Sequence, residues 1–194
     1  MADRLRRDFF AGETLDTARA LLGQVLVRVT QEGTTRGVIV ETEAYLGERD
    51  DAAHTYKGRS ERTRVAYGDS GCAYIYLIYG MHCCFNITTG QPGAPEMVLL
   101  RALAPVEGLP LMAARRGTDK PRALCSGPGK LCRAMAIDRS LYGEDLCASE
   151  RLFVERGAPP AHIAATPRIG VEYAELCRGE LWRFVDADSP YLSR

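Results

Sequence analysis

At 194 residues, the chain is long enough to bury a core without disulfides or metal. Its hydrophobic content of 46% and charged content of 26% are ordinary for a globular protein. Lys and Arg (25) balance Asp and Glu (25), so no global field draws the chain to nucleic acid or an anionic membrane, and any polyanion binding must come from local charge distribution.

The N-terminal MADRLRRDFF is too charged for a signal peptide, and no apolar run approaches the ~18 residues of a membrane span. An intracellular protein without membrane contact is expected. LDTARALL (Leu15 to Leu22) has helical spacing and stops at Gly23. QVLVRVT from Gln24 and GVIVETEAYL from Gly37 read as strands joined by the turn-like QEGTTRG. Period two places Ile39, Glu41, Glu43 and Tyr45 on one face of the second strand, and Val38, Val40, Thr42 and Ala44 on the other. On a solvated face the two carboxylates mean nothing. In a cleft, a carboxylate beside an aromatic ring is a candidate general base. Their separation of ~7 Å along a strand also suits a glycosidase acid/base pair, but any E-x-E strand has it.

The polar stretch from Gly47 to Gly71 exceeds an ordinary structureless connection, so it is functional or contains helical turns. It carries Lys57, Arg59, Arg62 and Arg64 against Glu61. CAYIYLIYGMHCCFNITT follows. Ala73 to Ile78 is expected to pair with Cys83 to Thr88 around a loop Tyr79 to His82, with Gly80 in a conformation other residues resist. Tyr74 and Tyr76 share a face and Tyr79 stands at the tip. A tip tyrosine either covers the hairpin's own apolar surface or acts as a planar wedge that enters a base stack. Asn86, on the returning strand, offers both donor and acceptor to a base edge.

MVLLRAL reads as a further strand and LPLMAARRG as a helix. CSGPGKLCRAMAI is a Gly-Pro-Gly turn followed by a helix; Leu131 after Gly-Lys excludes a P-loop, although Lys130 at a helix start can hold a phosphate. From Leu111 to Met135, Arg115, Arg116, Lys120, Arg122, Lys130 and Arg133 face only Asp119. The two basic runs are solvated surface charge or, together, a phosphate-binding face. RLFVERG, RIGVEYAEL and LWRFVD alternate in strand-like fashion, and the chain from Glu144 onward is net acidic. With no repeat or linker, one α+β domain over residues 1–194 is expected. The seven cysteines form no C-x-x-C pair, and His54, His82 and His162 lack metal-ligand spacing. Free thiols in a reducing compartment follow, with no metal and no cofactor.

DFF, ARALLGQVLV, VETEAYLGERDDAAH, YIYLIYGMHCCFN, VLLRALAPVEG, CSGPGKLCRAMAI, RIGV and SPYLS, taken in this order, resemble the alkyladenine (3-methyladenine) DNA glycosylase family of vertebrates and many bacteria. ETEAYLG with a histidine nine residues past the tyrosine, then Y-x-x-Y-G-M and Asn, is its most specific part. The resemblance implies a curved antiparallel sheet with surrounding helices and a protruding β-hairpin. It implies a monofunctional enzyme, without lyase activity, that flips alkylated or deaminated purines from double-stranded DNA and hydrolyses the N-glycosidic bond, starting base excision repair in cytoplasm or nucleoid, as a monomer. Glu43 then matches the general base, with Arg101 placing water and phosphodiester. Tyr45, His54, Tyr76 and Asn86 match the base pocket, with Asn86 crowding the guanine 2-amino group, and Tyr79 matches the wedge. Ile169 matches a backbone contact to the water, and Arg62 and Lys130 are candidate phosphate contacts. Lys57, Lys120 and Lys130 are the only lysines, and none holds a Schiff-base position of the motif. The sequence departs from the family where Ser60-Glu61-Arg62-Thr63 stands for Thr-Pro-Arg-Asn, and where His82 stands for the tyrosine of vertebrate members. A non-catalytic lesion-binding protein using the same pocket and wedge is the alternative of a different class, and hydrolysis of free nucleosides a third.

Overall fold

The computed structural model describes residues 3–193. Helices α1 (Arg7–Phe10) and α2 (Thr14–Ala20) lead into β1 (Val25–Thr30) and the long β2 (Gly33–Tyr45). The 3-10 turns Gly47–Arg49 and Arg64–Tyr67 punctuate the polar stretch before the hairpin β3 (Ala73–Ile78) and β4 (His82–Thr89). Then come β5 (Glu96–Glu107), helices α3 (Leu109–Arg116), α4 (Pro121–Leu124) and α5 (Pro128–Ala134), and the short strands β6 (Leu152–Glu155), β7 (Ile163–Thr166) and β8 (Arg183–Asp186).

The strands make one antiparallel sheet in the order β3-β4-β5-β2-β1-β6, with β8 also pairing β2 and β7 pairing β8. β2 is its axis. Against β5 its register slips between Ile39 and Glu41, where Val40 is the extra residue, and again between Glu41 and Thr42, where Arg101 is extra on β5. Bulges bend the strand that carries them and re-aim side chains, so the sheet curls at this point. The expected single face of Ile39, Glu41, Glu43 and Tyr45 is therefore broken. Ile39 packs into the same core cluster as Ala44, whereas Glu41 and Glu43 turn to Arg101, Ile169 and Tyr45.

The main core lies between the sheet and the helices, with Phe10, Leu22, Phe85, Leu100, Leu131 and Phe184 almost fully buried. Each such side chain contributes roughly 1.5–3 kcal/mol relative to exposure. α3 ends where Gly117 takes φ 66° and its N–H bonds to Ala113 O, a left-handed stop open to glycine at little cost. α5 begins at Pro128, whose missing N–H would be unpaired in any first helical turn. The fold is α+β, with a curved antiparallel sheet, surrounding helices and a protruding hairpin. Among the described residues, no helix is long and apolar enough to cross a membrane.

Three expectations need correction. The β1–β2 turn is tighter than QEGTTRG suggested, because Thr30 pairs with Gly33 and only Gln31 and Glu32 turn. The hairpin tip is Tyr79 to Met81, since Ile78 pairs directly with His82. RIGVEYAEL forms no strand. Its backbone is taken by side chains instead: Asp51 accepts the N–H groups of Glu175, Leu176 and Cys177. Alternation without a neighbouring edge cannot make a ladder. β7, with little apolar pattern of its own, is a strand because β8 offers it an edge.

Candidate active site

Glu41 and Glu43 have no exposed surface, so each needs compensating partners. Glu41 Oε1 accepts from Arg101 Nε at 3.0 Å, Arg183 Nε at 2.7 Å and Ser193 Oγ at 2.7 Å, while its Oε2 accepts from Ser193 N–H at 2.6 Å. Glu43 Oε1 accepts from Ile169 N–H at 2.8 Å and faces Arg101 Nη1 at 3.2 Å, and its Oε2 accepts from Tyr45 O–H at 2.9 Å. The bulges on β2 and β5 bring these groups together, aiming Arg101 between both acids. Burial beside the Glu43 carboxylate pushes the Tyr45 hydroxyl well above its usual range, so it stays a donor.

Above this cluster opens a cavity of about 740 Å³ lined by Tyr45, His54, Tyr76, Asn86, Arg101 and Ile169, among others. The structure thus gathers the six residues expected at the base pocket and beside the water. Tyr76 meets His54 edge-on, with ring centroids 4.3 Å apart and planes at 80°. His54 lies 2.9 Å from Tyr74 Oη through Nδ1 and 3.3 Å from Arg62 Nη2 through Nε2. A guanidinium can only donate, so Nε2 is the acceptor and the neutral ring carries its proton on Nδ1. Desolvation and the Arg62 charge lower His54 to about 4, the direction a neighbouring cation alone would produce at this solvent-exposed residue. Burial raises Tyr74, behind the cavity wall, to about 12 and Tyr76 further. Asn86 is buried and donates from Nδ2 to Tyr74 O at 3.1 Å.

Arg62 is exposed, yet it leans on the pocket wall, 5.3 Å from the Tyr76 ring centroid as well as beside His54. Tyr79 stands 85% exposed, so it does not cover the hairpin's own apolar surface. It holds φ 52°, a left-handed conformation shared with Gly80. Tyr79 also borders a second cleft of about 460 Å³ lined by His82, Arg116, Lys130 and Arg133. The basic run of residues 111–135 is not one face. Arg115, Arg116 and Arg133 donate to the carbonyls of Ala134, Leu124 and Arg115, fastening α3, α4 and α5 together. Lys130 is left exposed at the start of α5.

Sequence reasoning missed Arg168, Asp50, Arg183 and Ser193. Arg168 is fully buried, forks onto Asp50 at 2.6 and 2.9 Å, and lies over the rings of Tyr45 at 4.6 Å and Trp182 at 4.9 Å. It anchors the loop that presents Ile169 N–H to Glu43. RIGV and SPYLS, the blocks containing Arg168 and Ser193, were the available signal. Asp50, Asp51 and Cys177 lie close enough to hold an ion, but Asp50 is committed to Arg168 and Asp51 to three backbone N–H groups. All seven cysteines are free thiols.

Residues 8–190 match the family model described as methylpurine-DNA glycosylase. The chain is 49% identical over 191 residues to a protein of Methanocella arvoryzae, covering 98% of this chain and 96% of that one. It is 44% identical over 199 residues to a protein of Desulfitobacterium hafniense, covering 98% of each. A Clostridium tetani protein is 43% identical over 202 residues, covering 98% of this chain and 99% of its own. All three carry provisional names as 3-methyladenine DNA glycosylases.

Proposed function

The chain belongs to the methylpurine-DNA glycosylase family, and from that premise we propose that it extrudes a damaged purine from duplex DNA into the Tyr45–Tyr76 cavity, where Glu43 activates the water that displaces it. The family assignment supports hydrolysis of N-glycosyl bonds on a DNA substrate. The observation that carries the finer reading is the count of partners on the two buried acids. A carboxylate has about four acceptor directions. Glu41 has four donors on it, whereas Glu43 has Tyr45 O–H, Ile169 N–H and Arg101 Nη1. One acceptor direction on Glu43, which has no exposed surface, is left without a protein donor, and the attacking water is assigned to it. Ile169 N–H orients the base itself in this arrangement.

A paired base cannot present its glycosidic bond, so extrusion comes first, at a cost of a few kcal/mol that is smaller for a damaged pair. Tyr79, presented at the tip, fills the vacated place in the stack. Tyr45, Tyr76 and neutral His54 enclose the purine; stacking contributes on the order of 1–3 kcal/mol per base and tolerates alkylated and deaminated rings alike. Asn86, fixed by its bond to Tyr74 O, excludes guanine by crowding its 2-amino group. Water, with its proton passing to Glu43, attacks C1′ as the base departs with the bonding pair. The Glu43 charge stabilises the oxocarbenium character that develops there. Arg62 and Lys130 meet the backbone. No covalent lysine adduct is needed, so the product is an abasic site in an uncut strand, made by a monomer.

Single-turnover release from a duplex bearing hypoxanthine or ethenoadenine tests this. Glu43→Gln is expected to bind but release base about 10² to 10⁴ times more slowly. Borohydride is expected to trap no adduct, even with Lys57 at the cavity rim. Binding by the wild type without release of either base, or of any base from an alkylated duplex, would leave a lesion-binding protein instead.

A further inference from the structure

Resting on that reading, we propose that Glu41 is a positioning residue that keeps Arg101 from closing on Glu43. Arg101 spans both acids, Nε on Glu41 Oε1 at 3.0 Å and Nη1 near Glu43 Oε1 at 3.2 Å, with Ser193 Oγ 3.3 Å from Nη2. A guanidinium beside one carboxylate favours the two-pronged fork, with two parallel N–H···O bonds. On Glu43 a fork would fill the acceptor direction that the water needs. Glu41 prevents it by holding Nε directly and, through the Ser193 hydroxyl it binds, Nη2, so that Nη1 alone is left toward Glu43. It is itself immobile, because Arg183 and both donors of Ser193 occupy its remaining positions. Ser193 reaches this point from 152 residues away and adds its hydroxyl to the same grip. Glu41 has no exposed surface and acts only through Arg101.

The test is a double-mutant cycle read in two assays on one hypoxanthine duplex. One assay is single-turnover release; the other is equilibrium binding to the same duplex with a 2′-fluoro sugar that resists cleavage. Glu41→Gln is expected to slow release about tenfold to a hundredfold, the scale of a misplaced catalytic group, with binding unchanged within about twofold. In an Arg101→Met background the same change is expected to cost less than about twofold, because the fork can no longer form. Should Glu41→Gln fail to fold, Ser193→Ala removes one part of the grip without altering charge, and a severalfold loss that disappears in Arg101→Met is expected. Multiplying effects of Glu41 and Arg101, or loss of binding in step with rate, would overturn the proposal while leaving the glycosylase reading intact. A wild type that releases no base would overturn both.

Discussion

His54 and Arg62 meet at the mouth of the cavity, and their contact sets the charge there. With its pKa lowered to about 4 from 6.5, the ring is neutral at pH 7 and adds no positive charge to the cavity. The unfolded chain binds the proton between those two values and the folded protein does not, so this residue's share of stability falls as pH drops from about 6.5 toward 4. Arg62→Ala removes a lowering cation. The His54 ring is then expected to titrate at higher pH than in the wild type, as read from its imidazole NMR signals. An unmoved titration would mean that the cavity wall alone depresses it. At this scale the sequence singles out Glu43 because it sits in a specific motif. It does not single out Arg183, since a lone arginine in an alternating run carries no sign that a buried acid awaits it 142 residues upstream.

The hairpin β3–β4 is an element whose tip opposes local preference. Its burial falls from Ala73 to Ile78, and Tyr79 then adopts a left-handed backbone while 85% exposed. An L-residue with a side chain pays roughly 1–2 kcal/mol there. Tyr79→Gly is therefore expected to raise stability by up to about 1 kcal/mol in denaturant melts, yet to slow base release from duplex DNA. Faster or equal release would remove the wedge role. The same strand region shows why other elements were misread. Period two predicts one continuous face on β2, but Val40 and Arg101 are extra residues at adjacent bulges. A bulge depends on the register of two strands far apart in sequence, so no local pattern announces it.

Across the whole molecule, zero net charge coexists with two clefts edged by Lys57, Arg62 and Lys130. Salt dependence of duplex binding is expected to be shallow, and Lys130→Ala to reduce its log–log slope by about 0.9, one phosphate contact; an unchanged slope would place Lys130 off the DNA. Arg115, Arg116 and Arg133 looked equally available, but each already donates to a carbonyl that ties α3, α4 and α5 together. The sequence by itself determined the α+β class, the tyrosine-tipped hairpin, the acid–tyrosine strand and, through its ordered motifs, the family, because these depend on residue type and short spacing. Only the tertiary structure decided that four donors meet Glu41 while three partners meet Glu43. Arg101 from β5, Arg168 and Ile169 from a strandless loop, Arg183 from β8 and Ser193 from the C-terminal segment converge there, and buried charges select partners by distance, whatever their separation along the chain.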